Sequence, residues 1–296
     1  MVFGQEETFR TRMAAKGWKY ESACDWKGEP MKGKVILVVV CLLAASWIAT
    51  TALSAGDNSS KDQPGLQSVA NGPKDSPPGL ERVVFIHYRP EHGKPDGSPG
   101  KKPPASGPSC YSFIARGAKW KTLPVEFHVS CSNGNDLSEK FLDSAFSAAA
   151  SAWAGATSAD LFTTKTPITD PGFTVNPDET NGVNEIAFQD LSAAHAIAIT
   201  YVWGWFSGPV DQREIVEFDM ILDDTEYTWG DATTNSALMD VQNIATHELG
   251  HALGLNDVYQ SACSTVTMYG YSDYGEITKR TLDGADITGL RELYGE

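Results

Sequence analysis

Between residues 110 and 296 the apolar positions switch between two periods. Residues 123–129, 184–188, 196–203 and 214–222 alternate, or run apolar briefly, with β-branched and aromatic side chains; each predicts a strand. Residues 137–154 carry apolar side chains three and four apart among many alanines, which predicts a helix. Residues 236–253 and 283–294 repeat that spacing, with Ile287, Leu290 and Leu293 on one face of the last segment. Strand, helix, three strands, helix, helix predicts an α/β domain, a twisted sheet backed by helices.

Upstream the pattern changes. Residues 80–87 read as one short strand between stretches rich in Gly, Pro, Ser, Asn and Lys. Residues 56–109 are therefore expected to be a disordered linker or pro-segment, with the folded domain, 110–296, starting near Cys110. His87 and His92 offer a metal cap in that strand, against the plainer reading of solvated polar residues. Residues 35–49 are almost unbroken apolar sequence. Lys32 and Lys34 precede them, and Ala52 and Ser54 follow at the spacing of a signal-peptidase site. Residues 31–55 thus predict a signal peptide starting at Met31, with 1–30 a spurious or cytoplasmic extension. Continued to Ala55, the run is also just long enough for an uncleaved membrane anchor. Either way the rest of the chain is exported: secreted in the first case, tethered outside the membrane in the second.

Charge narrows the partners. The formal charge is −15, and residues 110–296 carry 27 acidic against 9 basic side chains. Such a surface repels phosphate backbones and anionic lipid, so neither nucleic acid nor a lipid surface is expected to dock there. With 41% apolar content, 8 Trp, 12 Phe and 10 Tyr, the chain has material for one sizeable core. Five cysteines are too few for a disulfide scaffold. A Cys110–Cys131 bridge would tie the start of the domain to the end of its first strand; Cys263 leaves other pairings open.

The chemistry concentrates in His247-Glu-Leu-Gly-His-Ala-Leu-Gly-Leu-Asn-Asp257. Positions four apart share a helix face, so His247 and His251 can aim at one ion. Zn²⁺ suits two imidazoles plus an oxygen ligand. Glu248, one position round from His247, is poorly placed as a third ligand and well placed as a base acting on metal-bound water. Leu238, Val241, Ala245, Leu249 and Ala252 form the apolar face. Gly254 allows a left-handed turn past the helix, which brings Asp257 back as third ligand and leaves a fourth position open.

This segment resembles the zinc signature of the metzincin metalloproteases, and Thr267-Met268-Tyr269-Gly270 resembles their Met-turn. The position of Met268 and the ending at residues 282–295 are similar to the matrixin-like branch. The resemblance implies a twisted, mainly five-stranded mixed sheet with an active-site helix and a C-terminal helix. It implies a zinc endopeptidase acting on protein or peptide substrates, with Met268 as an apolar floor. Residues 196–203 are then the candidate edge strand for extended substrate, since main-chain hydrogen bonds at an edge hold any sequence. Asp257 in place of a third His is similar to the snapalysin-like minority. No Cys-containing pro-segment motif of the vertebrate matrixin kind is present, and Gly270 stands where astacins and serralysins have Tyr. His195 is the only spare mid-domain His, and Glu217 precedes Phe218-Asp219 where matrixins tend to have His, so a second zinc is not expected.

Other features carry open alternatives. Asp219, Asp223, Asp224, Glu226 and Asp231 are either a Ca²⁺ site or a solvated acidic loop. Trp203, Trp205 and Phe206 are either a substrate subsite or core. Glu276 is the rival third ligand, as in the gluzincin arrangement. The rival to an enzyme is an exported zinc-binding or adhesive module, against which Glu248 argues, because a structural site needs no base.

Overall fold

The computed structural model describes residues 70–71, 77–92 and 109–296, apart from 164–165, 169, 171–172 and 192. The expected signal or anchor and most of the expected linker lie outside these residues. Among the described residues no helix is long and apolar enough to cross a membrane.

The chain begins with β1 (Ala70–Asn71), β2 (Glu81–Tyr88), β3 (Ser112–Phe113) and β4 (His128–Ser130). Helix α1 (Glu139–Ala154) follows, then β5 (Thr166–Ile168), β6 (Glu185–Gln189), β7 (Ala196–Trp205) and β8 (Glu214–Asp223). The short pair β9 (Trp229–Gly230) and β10 (Met239–Asp240) leads into α2 (Val241–Ala252). Strand β11 (Leu255–Asn256) and helix α3 (Gly284–Tyr294) complete the fold.

Seven strands form one sheet in the order β1-β2-β7-β8-β6-β4-β5. A five-stranded mixed sheet, as the resemblance implies, is present as β4 to β8, with β4, β5, β6 and β8 parallel and β7 antiparallel beside β8. The addition is β2, which pairs antiparallel with β7 from Glu81↔Gly204 to Tyr88↔Ala196. Strand β7 is therefore an interior strand here, covered on the side where it would otherwise be the sheet edge. The folded sheet takes in residues well before Cys110.

Local chemistry sets the helix ends. Ser138 caps α1 by accepting Phe141 N–H at 3.2 Å, and Leu142, Ala145, Phe146, Ala149 and Trp153 bury one stripe. Asp240 caps α2, accepting Asn243 N–H at 2.8 Å, so this helix starts five residues later than its apolar spacing predicts. Asp283 and Asp286 form a capping box at α3. Helices α1 and α2 lie on one face of the sheet, joined by Trp153 Nε1 donating to Thr246 O at 2.7 Å. On the other face Ile86, Val175, Ala187, Ile199 and Ile221 make a smaller core. Trp203 is wholly buried and Phe206 nearly so, which makes them core residues.

A disulfide joins Cys110 to Cys263, so the expected Cys110–Cys131 bridge does not form. Pairing β3 with β11 brings the start of the domain beside the segment after the metal-binding motif, and Cys110 follows it there. The bridge spans 153 residues of sequence and sits with Val258 and Val266 in a small apolar cluster. Replacing both cysteines by serine is expected to cost roughly 2–5 kcal/mol, as for native bridges that close long loops. Urea denaturation of the double variant against the parent measures it.

Candidate metal centre and active site

Helix α2 runs through the middle of the molecule, with every residue but Gln242 buried. His247 and His251 stand one turn apart on it, as their spacing requires. His247 Nδ1 donates to Thr267 O at 2.7 Å and His251 Nδ1 to Leu255 O at 3.0 Å. A carbonyl only accepts, so in the neutral rings both protons sit on Nδ1 and both Nε2 atoms present lone pairs. Those two atoms face each other at 3.1 Å.

Gly254 turns the chain back with φ of 100°, and a Cβ there would lie 2.7 Å from Ala118 O. Glycine is required on both counts. The β3–β11 pairing then fixes the strand that delivers Asp257. Its Oδ1 lies 3.1 Å from His247 Nε2 and 3.5 Å from His251 Nε2, with no hydrogen-bond donor of its own. Its Oδ2 accepts from Tyr259 at 2.9 Å. Burial raises the Asp257 pKa, but positive charge on His251, whose own pKa Asp257 raises, outweighs it and holds the carboxyl well below the usual range. Burial pushes His247 down to about 4, which keeps it neutral.

Three bare donor atoms, buried and 3.1–3.5 Å apart, have the spacing of one tetrahedral ion's ligands. Bonds of about 2.0–2.1 Å to N and O ligands put neighbouring donors about 3.3 Å apart. The donor set, two imidazoles and a carboxylate, is one that Zn²⁺ takes. The residues present fit the ion.

Glu248 is fully buried beside this group. Its Oε2 accepts from the Thr200 hydroxyl of β7 at 2.6 Å, and its Oε1 pairs with His87 Nδ1 at 3.0 Å. Burial raises its pKa, against the lowering effect of the imidazoles and Thr200.

Met268 is wholly buried against α2. A Cβ on Gly250, between the two histidines, would lie 2.3 Å from its Sδ, so glycine lets the turn close on the helix. Asp286 anchors that turn by accepting Thr267 N–H at 2.8 Å and Met268 N–H at 3.1 Å. Thr267 O in turn orients His247, so the C-terminal helix cap reaches the metal site through a single residue.

Glu276, the rival ligand, instead pairs with Lys279 Nζ at 2.7 Å and accepts from Thr278 at 2.9 Å. Buried Lys279 also donates to Tyr271 O at 2.6 Å and Ser272 Oγ at 2.8 Å, which fixes the loop below the site. His87 and His92 do not converge: His92 stacks on His195 at 4.1 Å, and His195 pairs with Glu226 at 2.8 Å. Thr200, Tyr259, Asp286 and Lys279 carry no signal in the sequence, because each reaches the site through a non-local contact.

The acidic residues disperse. Asp219 accepts Glu185 N–H, Asp223 accepts Thr225 and Glu226 N–H, and Asp224 accepts Gly134 N–H. Asp231 pairs with Arg280 at 2.6 Å. Among the described residues none of these belongs to a metal-competent group, so a Ca²⁺ site gains no support. Burial raises Asp219 to about 8. A carboxyl whose folded pKa lies above its unfolded value stabilises fully below about pH 4, and loses that contribution as pH rises to about 8. Asp219→Asn is therefore expected to flatten this part of the stability profile. Melting temperature against pH for both proteins checks it.

No curated protein matches the chain. The sequence model of the matrixin family matches residues 119–295, more than half of the chain, and takes in α2, Asp257 and the Met268 turn. With that match over a mixed sheet and a buried donor cluster, the chain belongs to the matrixin family of zinc metalloendopeptidases.

Proposed function

We propose that the protein is a secreted zinc-dependent endopeptidase in which His247, His251 and Asp257 hold the metal and Glu248 is the general base. The observation that carries this reading is the split between donors. His247, His251 and Asp257 offer bare atoms to one point, while Glu248 adjoins them and is hydrogen-bonded elsewhere. Asp257 is preferred to Glu276 as third ligand because Glu276 is spent on Lys279. A zinc ion bound there supplies a Lewis acid that acidifies a water molecule and polarises the scissile carbonyl. Glu248 accepts a proton as the water oxygen joins the carbonyl carbon. It returns that proton to the departing amine as the C–N bond breaks. Thr200 holds the Glu248 carboxylate, Asp286 holds His247 through Thr267, and Met268 packs against the helix at Gly250. Export rests on residues 31–55, with a membrane-anchored form the alternative.

The test is digestion of a peptide library by the zinc-loaded chain, before and after limited trypsin cleavage after Lys101. Chelation is expected to abolish hydrolysis. Glu248→Gln is expected to keep one zinc and its melting temperature while losing about 10²–10⁴ in rate. Parent-like hydrolysis by Glu248→Gln sinks the base assignment. A parent that holds zinc and cleaves nothing in either form is the non-enzymatic module instead.

A further inference from the structure

We propose that Tyr259 is a positioning residue for the metal: its phenol ties up one oxygen of Asp257, so that the carboxylate holds the ion through the other oxygen alone. The proposal deepens the zinc-endopeptidase reading above and rests on its ligand set.

The chain after the Gly254 turn runs alongside the Met268 turn. Val258 N–H donates to Met268 O at 2.9 Å, and Gly270 N–H donates to Val258 O at 3.1 Å. Val258 also forms a parallel bridge with Tyr269. Asp257 and Tyr259 flank that bridge, and side chains two apart in an extended chain leave on the same side. The Tyr259 hydroxyl accordingly meets Asp257 Oδ2 at 2.9 Å. An ionised carboxylate only accepts, so the phenol is the donor.

The ring has a prepared seat. A Cβ on Gly270 would lie 2.3 Å from Tyr259 Cε1, 2.4 Å from Cζ and 2.6 Å from the hydroxyl oxygen. Gly270 is not among the glycines with a left-handed backbone, so its own conformation does not call for glycine. The ring above it does. Any larger side chain at 270 would lift the phenol away from Asp257. Tyr271 packs against the other side of the ring, with centroids 5.2 Å apart and planes at 66°. The Tyr271 hydroxyl is buried without a hydrogen-bond partner. The two neighbouring phenols thus differ in one respect that matters here: Tyr259 is bonded to the ligand carboxylate and Tyr271 is not.

The consequence lies in how many oxygens Asp257 can give. A carboxylate binds a cation through one oxygen or through both. Oδ1 is bare and lies 3.1 Å and 3.5 Å from the two imidazole Nε2 atoms, while Oδ2 is spent on the phenol. One oxygen and two nitrogens leave a tetrahedral ion its fourth position for water. With the phenol gone, Oδ2 is free to turn onto the ion and compete for that position. Tyr259 therefore protects the place of the reacting water through the ligand, without touching the water itself.

The test loads Co²⁺ into the full chain in place of zinc and compares the parent with Tyr259→Phe and Tyr271→Phe. Each variant removes a single hydroxyl. Four-coordinate Co²⁺ absorbs visible light strongly and five-coordinate Co²⁺ weakly, so the spectrum reads the number of ligands. The parent and Tyr271→Phe are expected to share one strong spectrum. Tyr259→Phe is expected to keep about one metal per chain and its melting temperature, and to lose intensity as Oδ2 joins the ion. Its peptide hydrolysis is expected to fall about 10–100-fold, as when a partner of a metal ligand is removed. A Tyr259→Phe spectrum equal to the parent's overturns the proposal and leaves the zinc reading intact. An equal loss of intensity in Tyr271→Phe also overturns it, because the effect would then not come from the bond to Asp257. A parent that binds cobalt and cleaves no peptide ends the endopeptidase reading, while the Tyr259→Phe spectrum still decides the ligand geometry.

Discussion

Two imidazole nitrogens with bare lone pairs, 3.1 Å apart and shut away from water, repel each other unless a cation lies between them. Much of the structure serves to create that situation. Helix α2 supplies the spacing, two backbone carbonyls fix the tautomers, and the Gly254 turn brings in a carboxylate with an equally bare oxygen. The metal-competent group is thus an electrostatic demand written into backbone geometry. A zinc ion held by two neutral imidazoles and one ionised Asp257 would form a centre of net +1 rather than the +2 of an all-histidine site.

The supports radiate outward from this point. Thr267 O holds His247, Asp286 holds Thr267 and Met268, and the α3 cap holds Asp286. Cys110–Cys263 and the β3–β11 pair lock the segment carrying Asp257 to the domain's start. These contacts fix atoms to within the narrow tolerance that a metal site needs. The opposite wall is different in kind. It is β2, joined to the body through main-chain pairing and two buried rings.

The sequence was most informative where chemistry is local. Residues 247 to 257 pointed to the donor cluster because helix periodicity and a turn glycine set their geometry, and the long strands β7 and β8 were visible as apolar runs. The start of α2 was read too early because Asp240 caps it inside an apolar stretch. Strand β5 was not foreseen: it is three residues long with Pro167 in the middle. The larger omission is the destination of residues 81–88. They read correctly as a strand, but the linker-like composition around them suggested separation from the domain. Pairing with β7 across more than a hundred residues leaves no periodic trace, so His87 looked like an isolated solvated histidine. The Cys110 partner was illegible for the same reason.

X-ray absorption at the zinc edge, on the full-length protein as purified, most directly tests the claim that the buried donors hold zinc. The account predicts about one zinc per chain, with only nitrogen and oxygen neighbours at about 2.0–2.1 Å and the outer-shell pattern of imidazole. Zinc absent from freshly purified protein, or bound through sulfur at about 2.3 Å, would contradict it.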